Sequence, residues 1–180
     1  YIVINGNSGS RVKELAKAYI LMNCDMGAEK KIISSLNAIE GVTEAHGTFG
    51  LYDILAKIES ENEREIRKMA EIHSTMTLTR SESEELFKPS DKAVNKTLGK
   101  KSAQAYIVIH TDKGEEYEVL RNLSHIAEIK EADVVFGFYD VLCKIESDEY
   151  ALLEQVITKA IRSLPHIKTS MTLNVISEQD

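Results

Sequence analysis

Asp53 and Asp140 are carboxylates at the same place in two near-identical stretches, FGLYDILAKIES from Phe49 to Ser60 and FGFYDVLCKIES from Phe136 to Ser147. In both, FG-x-YD marks a tight hairpin, with Gly50 and Gly137 free to take the positive φ that other residues avoid. An Asp just past such a hairpin can cap backbone amides with its side-chain oxygens. A second kind of chemistry is offered by Met22, Cys24 and Met26, whose alternation on one strand face would present soft sulfur ligands to a cuprous ion. The other copy lacks that set, with Ile109 nearby and Thr111 opposite Cys24, so buried core is the plainer reading of these sulfurs. His46, His73, His110, His125 and His166 show neither H-x-H nor H-x-x-x-H spacing, and no metal site is expected from them. No Cys or Ser has a His placed as its base, and no glycine-rich phosphate loop opens a helix. The expectation is a chain with no catalytic residues and no cofactor, not an enzyme, although a fold alone excludes no activity.

The elements that would position these residues can be read from period. AYILMNCDMG at 18 to 27 aligns with AYIVIHTDKG at 105 to 114, and IRKMAEIHSTMTL at 66 to 78 with IRSLPHIKTSMTL at 161 to 173, so a tandem duplication is expected. Tyr19 to Cys24 and Tyr106 to Thr111 read as strands. Ala28, Ile32, Leu36 and Ile39, and likewise Tyr117, Leu120, Leu123 and Ala127, recur at helical spacing. Ile54, Ala56 and Ile58, with Val141, Cys143 and Ile145, alternate as strand residues. A second helix is expected over about 148 to 163 in the second copy, followed by a strand carrying Met171, Leu173 and Val175 that matches Met76 and Leu78. Between KIES and IR the first copy has only Glu61 to Glu65, so its second helix is clipped or a stretch is missing from the sequence.

The order β-α-β-β-α-β is the ferredoxin-like arrangement, an α+β fold. One face of such a sheet usually meets water and alternates in polarity. Here Tyr19 and Leu21 point one way and Ile20, Met22 and Cys24 the other, and both sets are apolar. The expectation is two repeats packed sheet to sheet as a pseudo-dimer, each covering the other's helix-free face. The divisions are a leader at 1–17, a first unit at 18–80, a linker at 81–104 and a second unit at 105–176.

The hydrophobic strand opening with AY, GV-x-EA, FG-x-YD, IR and the closing S-T-x-T-L strand resemble the RAM domain, the effector-binding part of Lrp/AsnC transcription regulators. Gly41, Val42, Glu44, Ala45, Phe49, Gly50, Tyr52, Asp53 and Ser74 to Leu78 carry the resemblance in the first unit. Phe136, Gly137, Tyr139, Asp140 and Thr169 to Leu173 carry it in the second, where Glu128 and Ile129 replace the GV. The resemblance implies a protein that pairs through its sheets, assembles into homo-oligomers or with related regulators, and binds a small effector, an amino acid, near the hairpin. It further implies ligand-binding residues: Asp53 and Asp140 for the ammonium group, amides around Gly50 and Gly137 for the carboxylate, and Tyr52, Tyr139, Thr75, Thr77, Ser170 and Thr172 nearby. Opposite charges two bonds apart on an amino acid suit a carboxylate beside hairpin amides. Family members carry an N-terminal helix-turn-helix, for which a 17-residue leader is too short, so no direct contact with nucleic acid is expected. The alternatives are a ligand-free interaction module that co-assembles with such regulators, and a copper-responsive protein.

Charge agrees with that reading. Residues 18–79 hold 10 acidic and 6 basic side chains and residues 105–176 hold 12 and 7, whereas the segment 80–104 holds 6 basic and 4 acidic. Acidic units repel phosphate backbone. Two unmatched cysteines and no apolar run of membrane-spanning length point to a reduced, cytoplasmic protein without a membrane anchor.

Overall fold

The computed structural model describes residues 15–61, 76–80, 87–89 and 103–176. Most of the expected leader and linker, Thr75, and the second helix of the first unit lie outside the described residues. Strands β1 (Ala16–Met22), β2 (Val42–Phe49), β3 (Ile54–Ser60) and β4 (Met76–Arg80) and helix α1 (Glu29–Asn37) come from the first half. The second half supplies β5 (Ala103–Thr111), α2 (Glu116–Leu123), β6 (Ile129–Phe136), β7 (Val141–Ser147), α3 (Tyr150–Val156) and β8 (Ile167–Val175). That second set runs β-α-β-β-α-β, the ferredoxin-like order.

Helices form where apolar residues recur on one stripe. Leu36, with Ile32, Ile33 and Ile39, closes over Ala18, Ile20, Ile54, Ala56 and Ile58. Val119, Leu120 and Leu123 of α2 and Leu153 of α3 cover the matching face of the second half. Helix α2 ends at Leu123, short of the expected Ala127, where the His125 and Ile126 amides turn to the i−3 carbonyls of Asn122 and Leu123. Helix α3 is also shorter than expected and widens into a π turn at Ile157–Ile161, in which the Arg162 amide donates to the Ile157 carbonyl at 3.0 Å.

The sheets do more than stack. The eight strands among the described residues close into one barrel in the order β1-β3-β2-β8-β5-β7-β6-β4. The seams are short: β2 meets β8 through Thr48–Val175 and Phe49–Asn174, and β4 meets β6 through Thr79–Phe136 and Arg80–Val135. Expecting two stacked open sheets was therefore incomplete, because strand twist lets the outer strands of each half reach across and pair. Inside the closed wall the two halves share one apolar cluster. Tyr19, Leu21, Leu55 and Leu78 of the first half meet Tyr106, Val108, Leu142 and Leu173 of the second in one shared cluster.

Leu78 and Leu173 are fully buried in that cluster from opposite strands. Truncating either to Ala should cost about 2–5 kcal/mol in urea unfolding, since a packed interior collapses only partly around a deletion. A loss below about 1 kcal/mol would show that the two halves are not packed together here.

Candidate functional site

Each hairpin is fixed to the end of a neighbouring strand by its Asp. The Asp53 carboxylate accepts the Cys24 amide at 2.9 Å, and the Asp53 amide donates to the Met22 carbonyl at 2.9 Å. Strand β1 ends at Met22 and not at Cys24 as expected. In the second half Asp140 accepts the Thr111 amide at 2.8 Å and its own amide donates to the Ile109 carbonyl at 2.9 Å. His110 Nδ1 lies 3.6 Å from the Asp140 carboxylate, and the imidazole stacks on Tyr139 with centroids 4.5 Å apart.

Gly50 has φ of 151°, and a Cβ there would sit 2.9 Å from the Thr172 carbonyl oxygen and 2.8 Å from a Leu173 methyl. Glycine is needed for close approach as much as for backbone angle. The hairpin of the first half thus rests on β8 of the second. Gly137 takes φ of 145° in the other hairpin.

The remaining expected ligand residues are divided between two faces. Tyr52 and Tyr139 point into the barrel, their hydroxyls 3.8 and 3.9 Å from the sulfurs of Met76 and Met171. Thr172 pairs with Ile107 and Ser170 with Ile109, residues of the helix-covered cluster, so these hydroxyls share the outer face of β8. Thr172 Oγ1 and Asn174 Oδ1 are buried there without a hydrogen-bond partner. Thr77 pairs with Ile20 in the backbone ladder. Tyr52 and Tyr139 therefore do not converge with Ser170 and Thr172 on one pocket, because Ser170 and Thr172 alternate along β8 with the inward Met171 and Leu173.

The sulfur set also separates. Met22 and Cys24 pack into the cluster under α1, whereas Met26 is wholly exposed. Lost hydration and the carboxylates of Glu29, Asp53 and Asp25 push the Cys24 thiol up, away from the thiolate a soft metal takes. Among the described residues no group of three or more His, Cys, Asp or Glu is arranged to hold a metal. At the hairpin tips Phe49, Leu51, Phe136 and Phe138 are each about two-thirds exposed.

A second polar constellation escaped the sequence reading. Glu131 meets Lys17 at 2.6 Å and Lys57 at 2.8 Å, and Asp133 meets Lys17 at 3.0 Å, all across the interior between the halves. Tyr19 donates to Asp133 at 2.6 Å and Tyr106 donates to Glu44, which Lys144 reaches at 3.0 Å. The glutamates face inward because of two bulges. The register shifts between Val42 and Glu44 and between Ile129 and Glu131, so one extra residue keeps Val42 and Ile129 on the helix side and turns each Glu inside. The signal was Lys57 and Lys144, charged residues retained at the same place in both apolar strands.

Burial pushes the Glu44 carboxyl up, but hydrogen bonds from His46 and Tyr106 and the Lys144 ammonium overcome it and hold the group far below the usual range. Glu131 is lowered in the same way by Lys17 and Lys57 against its burial. Burial raises the Tyr19 and Tyr106 hydroxyls, and neighbouring carboxylates raise them further. Lys57 is raised, its burial outweighed by Glu131 and Glu59.

Residues 104–179 match the Lrp/AsnC ligand binding domain family. A hypothetical protein from Pyrococcus horikoshii of known structure is 40% identical over 43% of this chain and 93% of its own, with a TM-score of 0.41. The siroheme decarboxylase NirDL shares 12% identity over 88% of this chain and 70% of its own at a TM-score of 0.62. A chlorite dismutase from Candidatus Nitrospira defluvii shares 9% identity over 92% of both chains at 0.56. No curated protein matches the sequence. The expectation that the chain is not an enzyme is corrected by these likenesses: the fold of nearly the whole chain is one that enzymes use, so the lack of a familiar catalytic motif does not carry that conclusion. No helix among the described residues is long and apolar enough to cross a membrane.

The ionic layer sets a pH window. Unfolded carboxylates titrate near 4.3, and Glu44 and Glu131 are depressed in the fold, so their contribution is full above that value and lost as pH falls through the folded values. Tyr19, Tyr106 and Lys57 are raised, so their contribution is full below about 10 and lost above it. Calorimetry should give a level thermal midpoint from about pH 6 to about pH 9 and a fall on either side. Glu131→Gln should lower the plateau and shallow the acid limb; an acid limb of unchanged steepness would assign the acid loss to other carboxylates.

Proposed function

Starting from the membership of residues 104–179 in the Lrp/AsnC ligand binding domain family, we propose that this protein is an effector-binding regulator made of two such units in one chain. The effector is a free amino acid, and the units act as a pseudo-dimer. The single observation that carries the reading is that family match, since the FG-x-YD hairpin it spans occurs again, with its Asp, at Phe49 to Asp53.

Asp53 and Asp140 supply the negative charge for an ammonium group, and each already has its carboxylate fixed by a backbone amide. Preorganised charge of that kind favours a small zwitterion by lowering the ordering cost of binding. The hairpin turns at Gly50 and Gly137 are the proposed surroundings; Tyr52 and Tyr139, turned into the barrel, and Ser170 and Thr172, on the outer face of β8, do not join them. The exposed Phe49, Leu51, Phe136 and Phe138 supply apolar surface for contact with further copies or with related regulators. Effector binding at the hairpins would then bias that assembly, which is the regulatory output.

One observation favours a second reading. The Asp carboxylates bond the Cys24 and Thr111 amides, as purely structural caps would. On that reading the chain is an interaction module that co-assembles with such regulators without an effector.

Asp53→Asn and Asp140→Asn separate the two, because the amide oxygen still accepts the backbone N–H while the charge is gone. In a thermal-shift panel of the twenty amino acids, one or a few at about a hundred times their Kd should raise the midpoint by about 5–10 °C. The Asn variants should melt near the wild type and lose that shift. No shift from any amino acid would favour the interaction module.

A further inference from the structure

The ionic layer inside the barrel is not symmetric, and its asymmetry concerns which units can pair. Register equates Lys17, opposite Glu59, with Gln104, opposite Glu146; it equates His46, opposite Leu55, with Asp133, opposite Leu142. Every other charged position in the layer is conserved between the halves: Lys57 with Lys144, Glu44 with Glu131 and Glu59 with Glu146. The one exchange of type at each of two positions produces a contact, Lys17 to Asp133 at 3.0 Å, with side chains only 12% and 7% exposed. Tyr19 donates to the same carboxylate oxygen of Asp133.

That contact exists only when a first unit faces a second. Two first units face to face would set Lys17 against His46, and two second units would set Asp133 against Gln104. The charge count points the same way. The mixed layer holds three lysines and five carboxylates, a net of −2. Counting lysines and carboxylates alone, two second units would enclose two lysines and six carboxylates, −4, and two first units four and four, zero. Repulsion grows as the square of enclosed charge, so one layer at −4 beside one at zero costs more than two at −2. An unpaired buried Asp adds a desolvation cost.

We infer that Lys17 and Asp133 are specificity residues that direct each unit to pair with the unlike unit, closing the barrel within one chain and excluding like-with-like pairing between copies. The inference rests on the paired-unit part of the reading above and needs no effector. A positive residue on one inner face and a negative one on the other is how a duplicated surface loses its self-complementarity.

The test uses the full chain with a protease site inserted in the 90–100 segment. The chain is refolded from denaturant and then cut, and native mass spectrometry reads the composition of the pairs. Wild type should give only first-with-second pairs. Asp133→Lys, which sets two lysines together, should give like-with-like pairs and a thermal midpoint lower by more than about 5 °C. Lys17→Asp with Asp133→Lys should restore mixed pairs and recover at least half of the lost midpoint. Asp133→Lys that still gives only mixed pairs, or an exchanged double variant no better than the single one, overturns the inference. If Asp133→Lys does not fold, the milder Lys17→Gln and Asp133→Asn decide, singly and together: midpoint shifts that simply add overturn the inference, and a double shift smaller than their sum supports it. Like-with-like pairs in the wild type also overturn it, whereas single unpaired units would sink the paired-unit reading itself, and an absent amino-acid response would leave the pairing result standing.

Discussion

The structure depends on covering the second face of each sheet. A four-stranded sheet with helices on one side leaves apolar side chains such as Leu21, Leu55 and Leu78 with nothing to bury against, and a unit of this size cannot make up the deficit alone. The other half of the chain supplies the missing surface. Burial of Tyr19 and Tyr106 at that joint then demands partners for their hydroxyls, since an unmade hydrogen bond in the interior costs more than a made one contributes. Asp133 and Glu44 answer that demand, and Lys17 and Lys144 neutralise them in turn. The interior is thus apolar towards the hairpins and ionic away from them. Both halves contribute to each part.

The hairpins inherit their position from this joint. Gly50 can lie against β8 because the barrel is closed, and Asp53 can hold the Cys24 amide because β3 and β1 run side by side up to Met22 and Ile54. On the proposed reading, charge must be held in place before a ligand arrives. Here the backbone does the holding, which leaves Asp140 about one-third exposed beside His110 and Tyr139. The first half has Asn23 where His110 stands and Leu51 where Phe138 stands, so the surroundings of the two carboxylates differ in aromatic character.

Much of this was legible in the sequence because period carries burial. Doubly apolar strands such as Tyr19 to Met22 told that both faces of the sheet are covered. The fine division of β8 was not legible: Ser170 and Thr172 were grouped with Tyr139 by proximity in a motif, whereas strand alternation sends them to the other side. Nor could the bulges be read, because an extra residue at Thr43 or Lys130 changes the phase of the strand without changing its composition. The inward glutamates follow from that phase, so the ionic layer stayed hidden although its residues were in plain view. Strand twist, which turns two sheets into a barrel, leaves no mark in the pattern at all.

The two seams have a consequence for how the chain reaches this state. Hairpins such as β2–β3 and β6–β7 join neighbours in sequence and can form early, but Thr48 must find Val175 across most of the chain. Each seam returns only two residue pairs for the loop entropy it takes up. Closure therefore belongs to the last stage of folding, after the units have assembled and met. Until then four sheet edges stand open, and the speed with which they are sealed governs how long a nascent chain can be captured by its neighbours.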